Sequence, residues 1–225
     1  MRVPLLIEDT MVETDPIFRQ QRRNWDGEYK RKGVMWRGIT KFEISLPNGS
    51  RVLEIGCGNG KTIASLKGDD LPIVAIDFSF KAIELCRFAV KEKKVSLMVA
   101  DARFLPFHDD YFDVVISSHL LEHLSESGRN EAVAEMERVL RPGGRTIVSA
   151  LSTRDMRFGR GKEIERNTFL RGGSISTHYF TPGEMRELFE HFIELDLHEE
   201  VEETLYSGEP VRRANIDGIF ILDRS

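Results

Sequence analysis

Short apolar runs alternate along the chain with segments of helical periodicity. The runs lie at residues 52–55, 73–76, 95–100, 112–117 and 146–150, and between several of them apolar residues recur every three or four positions. Apolar strands that alternate with helices are typical of a parallel sheet covered on both faces. The pattern therefore predicts an α/β fold, with a doubly wound, mostly parallel sheet.

The ends of the chain extend this alternation. Two helical patterns, at 17–32 and 36–46, precede the first strand. Thr181 and Pro182 form a helix start with a cap and a proline in the first turn, and alternating apolar residues then predict a strand. The intervening stretch, 151–180, contains several glycines and is interpreted as a mobile lid inserted after the fifth strand.

The turn after the first strand carries three alternating glycines and a preceding acid, in the order Glu54, Gly56, Gly58 and Gly60. Glycines let a backbone pass close to a ligand because no Cβ stands in the way. A dinucleotide-binding turn reads G-x-G-x-x-G, which would need glycine where Lys61 stands. The turn thus favours a nucleotide-like ligand, and Glu54 offers an acceptor to a ligand ammonium or hydroxyl.

Acids also end the second and third strands. Asp77 follows Gly56 by 21 residues, and a carboxylate there can accept both hydroxyls of a ribose. Asp101 ends the third strand. Either acid alone could be a helix cap or a turn residue, but together at neighbouring strand ends they indicate one ligand site.

These segments together carry a family resemblance. The series VLEIGCGNG, VAIDFS, ADARFLPFHDDYFDVVISSHLLEHL and LRPGGR resembles a class I S-adenosylmethionine-dependent methyltransferase of the small-molecule-like type 11 subgroup. The resemblance covers roughly residues 50–150. It implies a Rossmann-like, seven-stranded sheet that ends in an antiparallel strand pair. It also implies S-adenosylmethionine as the cofactor and S-adenosylhomocysteine as the product.

The resemblance assigns cofactor contacts to residues of the first 120 positions. Glu54 and its glycine turn would line the methionine end, and Asp77 would hold the ribose. Asp101 would meet the adenine amino group, Ser117 would close the pocket below, and Arg37 would bind the cofactor carboxylate. The full predicted set is Tyr29, Arg37, Glu54, Gly56, Cys57, Gly58, Asp77, Phe78, Asp101, Ala102 and Ser117.

Methyl transfer requires a general base only if the acceptor must first lose a proton. His119 and His178 are the candidates for this role, because a neutral imidazole can take a proton near pH 7. The alternative is that neither acts chemically and the enzyme only orients its nucleophile. His119 and His123 also spell H-x-x-E-H, a zinc signature. The resemblance places a leucine-rich turn there instead, so we expect no metal.

Composition bounds the class of protein. With 225 residues, of which 40% are hydrophobic and 31% charged, the chain is long enough for a single domain. We divide it into a helical cap (1–48), a cofactor-binding core (49–150), the lid (151–180) and a C-terminal helix with a strand pair (181–225). No apolar run approaches the roughly 20 residues of a membrane span. Because the chain shows no signal-peptide pattern and only two cysteines, we expect a reduced, cytoplasmic protein. The sequence leaves open whether it is a monomer or a homodimer.

The charges are unevenly distributed. Residues 17–41 hold eight Lys or Arg and residues 151–178 hold six, whereas 184–209 carry ten acids and one base. Single charges of this kind are usually solvated, but two basic segments over one cleft would suit a small, anionic acceptor. A pI near 5.8 disfavours nucleic acid. Two other functions remain open: a non-catalytic S-adenosylmethionine-binding module and an NAD-dependent oxidoreductase.

Overall fold

The computed structural model describes residues 16–33, 46–67, 70–91, 94–170, 175–206 and 208–224. Within these ranges the chain forms five α-helices and ten strands. The helices are α1 (Pro16–Lys32), α2 (Lys61–Ser65), α3 (Phe80–Ala89), α4 (Glu126–Val139) and α5 (Pro182–Leu188). The strands are β1 (Val52–Ile55), β2 (Ile73–Asp77), β3 (Val95–Val99), β4 (Phe112–Ser118), β5 (Leu140–Leu151), β6 (Lys162–Glu165), β7 (Thr168–Leu170), β8 (Ser176–His178), β9 (Phe192–Tyr206) and β10 (Glu209–Leu222).

Seven of these strands form one sheet, in the order β3-β2-β1-β4-β5-β10-β9. The first five are parallel, and β10 is antiparallel to both of its neighbours. The predicted doubly wound, mostly parallel seven-stranded fold is thus confirmed. The order of strands reverses between β1 and β4, and ligands of such sheets bind outside the carboxyl ends at this point.

Burial on both faces explains the apolar strands. Val52 and Ile63 belong to one buried cluster, with α2 and α3, whereas Leu53 and Phe180 belong to the other, with α4 and α5. Successive side chains of a strand point to opposite faces, so a strand between two helical layers must be apolar throughout. The core therefore covers both faces of the sheet, and a ligand site can form at its carboxyl edge.

Two elements differ from the sequence expectation. Strand β5 begins at Leu140 rather than at 146, because the segment L-R-P-G-G-R is a bulged start of the strand. The segment 151–180, interpreted as a lid, contains a small antiparallel sheet, in the order β6-β7-β8, for which the sequence analysis predicted no strands. The second helical pattern, at 36–46, lies mostly outside the described residues.

The last hairpin is longer than the sheet it joins. Strand β5 ends opposite Asn215, whereas β9 and β10 stay paired as far as Tyr206 and Glu209. Because β10 runs antiparallel to β5, its residues before Asn215 project past the carboxyl edge. The hairpin consequently forms a wall beside that edge.

Candidate functional site

A cavity of about 340 Å³ lies at the carboxyl edge of the sheet. One part, here called the first half, is lined by the tips of β1, β2 and β3. The other part, the second half, is lined by the tips of β4 and β5 and by the β9–β10 hairpin. Nine of the eleven predicted cofactor-binding residues line the cavity, together with His119: they are Tyr29, Glu54, Gly56, Cys57, Gly58, Asp77, Phe78, Asp101 and Ala102.

Glu54 places a buried carboxyl in the first half. Its side chain is 1% exposed, and burial, with a smaller effect of Asp77, raises its pKa to about 8 although Thr62 hydrogen-bonds it. Its Oε2 atom has no hydrogen-bond partner among the described residues. A buried polar atom without a partner is costly, so this carboxyl is arranged for a donor that a ligand supplies.

Two glycines keep the first half open. Gly56 and Gly58 have φ values of 72° and 53°, which L side chains rarely adopt. A Cβ at Gly56 would lie 3.0 Å from Leu120, and one at Gly58 would lie 2.9 Å from the hydroxyl of Tyr29. The backbone at these positions is therefore shaped for close approach, as the sequence predicted.

Asp77 is held by backbone amides. Its Oδ2 accepts from the Gly58 amide at 2.8 Å, and its Oδ1 accepts from the Ser79 amide at 2.8 Å. Burial still raises its pKa to about 6. Each carboxylate oxygen has a second acceptor site, so two ligand hydroxyls could bind to Asp77 in this orientation.

Asp101 is oriented by Arg103. The guanidinium Nη2 donates to Asp101 Oδ2 at 2.7 Å, and the Arg103 amide donates to Oδ1 at 2.9 Å. Asp101 and Ala102 are both buried at the tip of β3. The pair holds this carboxylate rigidly at the end of the first half.

Helix α1 covers the first half. Tyr29 is 4% exposed, and burial next to Asp77 raises the pKa of its hydroxyl. Trp25 also lines the cavity and packs edge-on against His123, with ring centroids 4.7 Å apart. Arg37 lies outside the described residues, so its predicted contact stays a prediction.

His119 stands between the two halves, directly after β4. Its φ of 56° turns the chain sharply, and its Nδ1 lies 2.7 Å from Oε1 of Glu122. Glu122 is 1% exposed; burial would raise its pKa, but nearby His119 has the larger combined effect and the pKa lies below its ordinary value. With a proton on Nδ1 directed at Glu122, Nε2 would be the ring nitrogen that accepts a proton from the acceptor. The arrangement suits His119 for taking a proton.

The two histidines of the zinc-like motif have different partners. His119 contacts Glu122, whereas His123 Nδ1 lies 3.0 Å from the carbonyl oxygen of Ser176. Across the described ranges, no group of three or more His, Cys, Asp or Glu is placed to hold a metal ion.

Two predicted residues lie outside the cavity lining. His178 is 1% exposed, with Nδ1 2.8 Å from the Thr168 hydroxyl and Nε2 2.8 Å from Glu184 Oε1. It thereby connects the lid sheet to the start of α5. Ser117 is buried next to Ser118, which lines the cavity in its place because side chains alternate along a strand.

The second half contains residues that the sequence analysis did not single out. Ser149 of β5 faces Asp217 of β10, and Asp217 faces His198 of β9. The residues of the edge and hairpin that line this half are Ser118, Ser149, Glu200, Glu202, Arg213, Asn215 and Asp217. A signal existed: polar residues at 213, 215 and 217 alternate with Ala214 and Ile216, which predicts a strand with one polar face.

A buried carboxylate fixes the lid to this hairpin. The side chain of Asp155 is fully buried and lies 2.6 Å from Arg157 Nε and 3.3 Å from Arg213 Nε. It also accepts from the Ala214 amide at 3.3 Å. Burial would raise the pKa of Asp155, but Arg157 and the amides outweigh this effect and lower it. The start of the lid is thus tied to β10 by charge.

The two basic segments contribute little to the cavity. Of the 14 bases counted in residues 17–41 and 151–178, none within the described ranges lines it; Arg37, Lys41 and Arg171 lie outside those ranges. Arg154 and Arg157 contact Glu199 and Asp155 instead.

No described helix is long and apolar enough to span a membrane.

Comparison with known proteins places this geometry in context. Residues 53–148 match the family model described as a methyltransferase domain. A tRNA (carboxymethyluridine(34)-5-O)-methyltransferase of Arabidopsis thaliana is 36% identical over 115 residues, which are 51% of this chain and 27% of that protein. A demethylmenaquinone methyltransferase of Clavibacter sepedonicus is 35% identical over 120 residues, 53% of this chain and 48% of that protein.

The fold has solved counterparts as well. A SAM-dependent methyltransferase structure from Methanosarcina mazei aligns with a TM-score of 0.66 at 23% identity, covering 82% of this chain and all of that one. The chain thus spans less than half the length of the two curated relatives named above, but the full length of this solved fold.

Proposed function

Because the chain belongs, through residues 53–148, to the class I S-adenosylmethionine-dependent methyltransferase family of type 11, we propose that it transfers a methyl group from S-adenosylmethionine to a small acceptor. The observation that carries the proposal is the cavity, which joins a first half lined by Glu54, Asp77 and Asp101 to a polar second half at His119. A volume of about 340 Å³ falls in the roughly 300–1,000 Å³ range of small-molecule sites.

The residues present fit the cofactor. Glu54 Oε2, which has no hydrogen-bond partner within the described ranges, suits its ammonium, and Asp77 suits its ribose hydroxyls. Asp101 and Ala102 would meet the adenine, and the glycine turn at Gly56 and Gly58, which lines the cavity, would lie along its methionine end. When bound, the cofactor supplies a methyl group already activated by its sulfonium.

The chain's own residues then position and deprotonate the acceptor. Holding reactants in line can contribute about 7–11 kcal/mol to lowering the barrier. If the acceptor is a hydroxyl or amine, Nε2 of His119 takes its proton, and Glu122 stabilises the imidazolium that forms. A positioned base of this kind contributes about 10²- to 10⁴-fold.

The acceptor differs among the relatives. The names of those relatives include a tRNA uridine derivative and demethylmenaquinone, so both an RNA and a small molecule are represented.

Methyl-labelled S-adenosylmethionine incubated with the protein and a cell extract tests the proposal directly. Label in a small molecule supports it, whereas label confined to protein or nucleic acid contradicts the small acceptor. Tight cofactor binding without label in any pool contradicts it and favours the non-catalytic module.

Asp77→Ala is expected to weaken binding of S-adenosylhomocysteine by about 10- to 100-fold. The reason is the loss of hydrogen bonds from the ribose to a charged group, worth about 1.5–3 kcal/mol. Calorimetric titration measures the change, with the exposed Asp196→Ala as the matched control. Wild-type affinity in Asp77→Ala would refute the ribose assignment.

Binding should also release a proton. Because burial raises the Glu54 pKa to about 8, the free protein holds this carboxyl protonated at pH 7, and pairing with an ammonium requires its ionisation. The affinity for S-adenosylhomocysteine should therefore rise by up to about tenfold per pH unit between pH 6 and 7.5. Calorimetry in buffers of different ionisation enthalpy counts the released proton. Glu54→Gln should abolish the release, and a release that persists in this variant would exclude Glu54 as its source.

The Glu54 carboxyl changes the stability of the cofactor-free protein in the opposite direction: cofactor affinity rises with pH, whereas the stability contribution falls. Its folded pKa is raised, so its stabilisation is complete below about pH 4.3 and is lost as the pH rises through about 8. A cofactor-free Glu54→Gln variant should accordingly lose less stability than the wild type across this range.

A further inference from the structure

We propose that Asp217 is a specificity-determining residue, which binds a hydrogen-bond-donating, neutral or positively charged group of the acceptor. This inference rests on the proposed methyl transfer and concerns the second half of the same cavity. It excludes phosphate and carboxylate groups from that position of the acceptor.

Asp217 and His119 lie on the same edge of the sheet. Ser118, directly before His119, pairs with Ser149 of β5, and Ser149 pairs with Asp217 of β10. Neighbouring strands lie about 4.8 Å apart, so Asp217 stands two strands, or about 10 Å, from the end of β4. Both side chains line the cavity, and His119 acts electrostatically on the Asp217 carboxyl. An acceptor that reaches His119 can therefore also contact Asp217.

Asp217 is a buried carboxyl with few hydrogen bonds. It is 7% exposed, and burial raises its pKa although the Ser149 hydroxyl hydrogen-bonds it and His198 and His119 are near. A buried carboxylate gains most from an additional donor or cation, because these favour its charged form. A bound anion would do the reverse.

Other residues that line the cavity near Asp217 carry the same negative charge. Glu200 and Glu202 line the cavity from β9, opposite Asn215 and Arg213 of β10. Arg213 is the base on this hairpin face, and its Nε lies 3.3 Å from the buried carboxylate of Asp155. Three carboxyl groups thus line the second half together with one guanidinium, whose Nε also contacts Asp155. Juxtaposed like charges oppose binding of an anion here.

The test separates an extract by charge before methylation. Small molecules are divided into cation-exchange-retained, anion-exchange-retained and unretained pools, with nucleic acid as a fourth. Each pool is incubated with methyl-labelled S-adenosylmethionine and wild-type protein. We expect label in the unretained or cation-exchange-retained pool. Label confined to the anion-exchange-retained or nucleic-acid pool would overturn the assignment.

Asp217→Asn supplies the second arm. We expect it to raise the KM for the labelled pool's acceptor by about 10- to 100-fold, with a smaller change in kcat and unchanged S-adenosylhomocysteine affinity. The exposed Asp109→Asn is the control, and Asp217→Ser replaces Asp217→Asn if the latter does not fold. A KM like that of the wild type would refute the role of Asp217. Absence of label from all four pools would refute the proposed methyl transfer itself. A titration with S-adenosylhomocysteine then shows separately whether the protein binds the cofactor.

Discussion

His119→Asn is expected to lower kcat by about 10²- to 10⁴-fold, the usual contribution of a positioned general base. His119 lines the cavity directly after β4, where the two halves meet. Asparagine tolerates a positive φ better than most residues, so the turn at φ 56° should survive the change. The measurement is methyl transfer at saturating cofactor, with the pH profile of kcat recorded for both proteins.

The control for this variant is His191→Asn. His191 is 68% exposed and contacts Glu137 on the surface, so its loss should leave kcat unchanged. S-adenosylhomocysteine affinity should be the same in all three proteins, because the cofactor contacts lie in the first half. A kcat in His119→Asn within a few-fold of wild type would show that the enzyme only orients its nucleophile.

Asp155→Ala is expected to lower the free energy of unfolding by about 3 kcal/mol. Removing one partner of a buried ion pair costs about 3–5 kcal/mol, since the remaining charge is buried and uncompensated. The lower value applies here because Arg157 and Arg213 keep 21% and 42% of their side chains exposed. Urea denaturation measures the loss.

An exposed acid gives the comparison. Asp109 contacts Arg138 at 2.7 Å but is 69% exposed, so Asp109→Ala should cost less than about 1 kcal/mol. Equal losses in the two variants would show that the Asp155 contacts do not anchor the lid to β10.

The first half of the cavity could be predicted from the sequence because its determinants are local. A glycine must stand where a Cβ would clash, as at Gly58, and an acid at a strand tip reaches the crevice whatever lies around it. Asp77 and Asp101 could therefore be predicted as site residues from their positions along the chain alone. The mostly parallel sheet also followed, because buried parallel strands are apolar on both faces.

The second half depends on contacts between distant parts of the chain. Ser149 and Asp217 are 68 positions apart and meet only because β10 inserts next to β5. His178 differs from these residues in that the sequence predicted it as a candidate base. In the structure the lid sheet and α5 enclose it. No local pattern distinguishes a histidine that a fold encloses from one that it exposes to a cavity.

The overhanging hairpin separates two engineering problems. Residues 209–214 of β10 pair with β9 and have no strand partner on the β5 side, where residues 152–156 contact them instead. The cofactor contacts, on β1 to β3, lie on the far side of β4. Acceptor choice could therefore be redesigned by exchanging cavity-lining residues of the β9–β10 hairpin, Asp217 included, while the Arg213 and Ala214 contacts to Asp155 and the nucleotide-binding scaffold are kept.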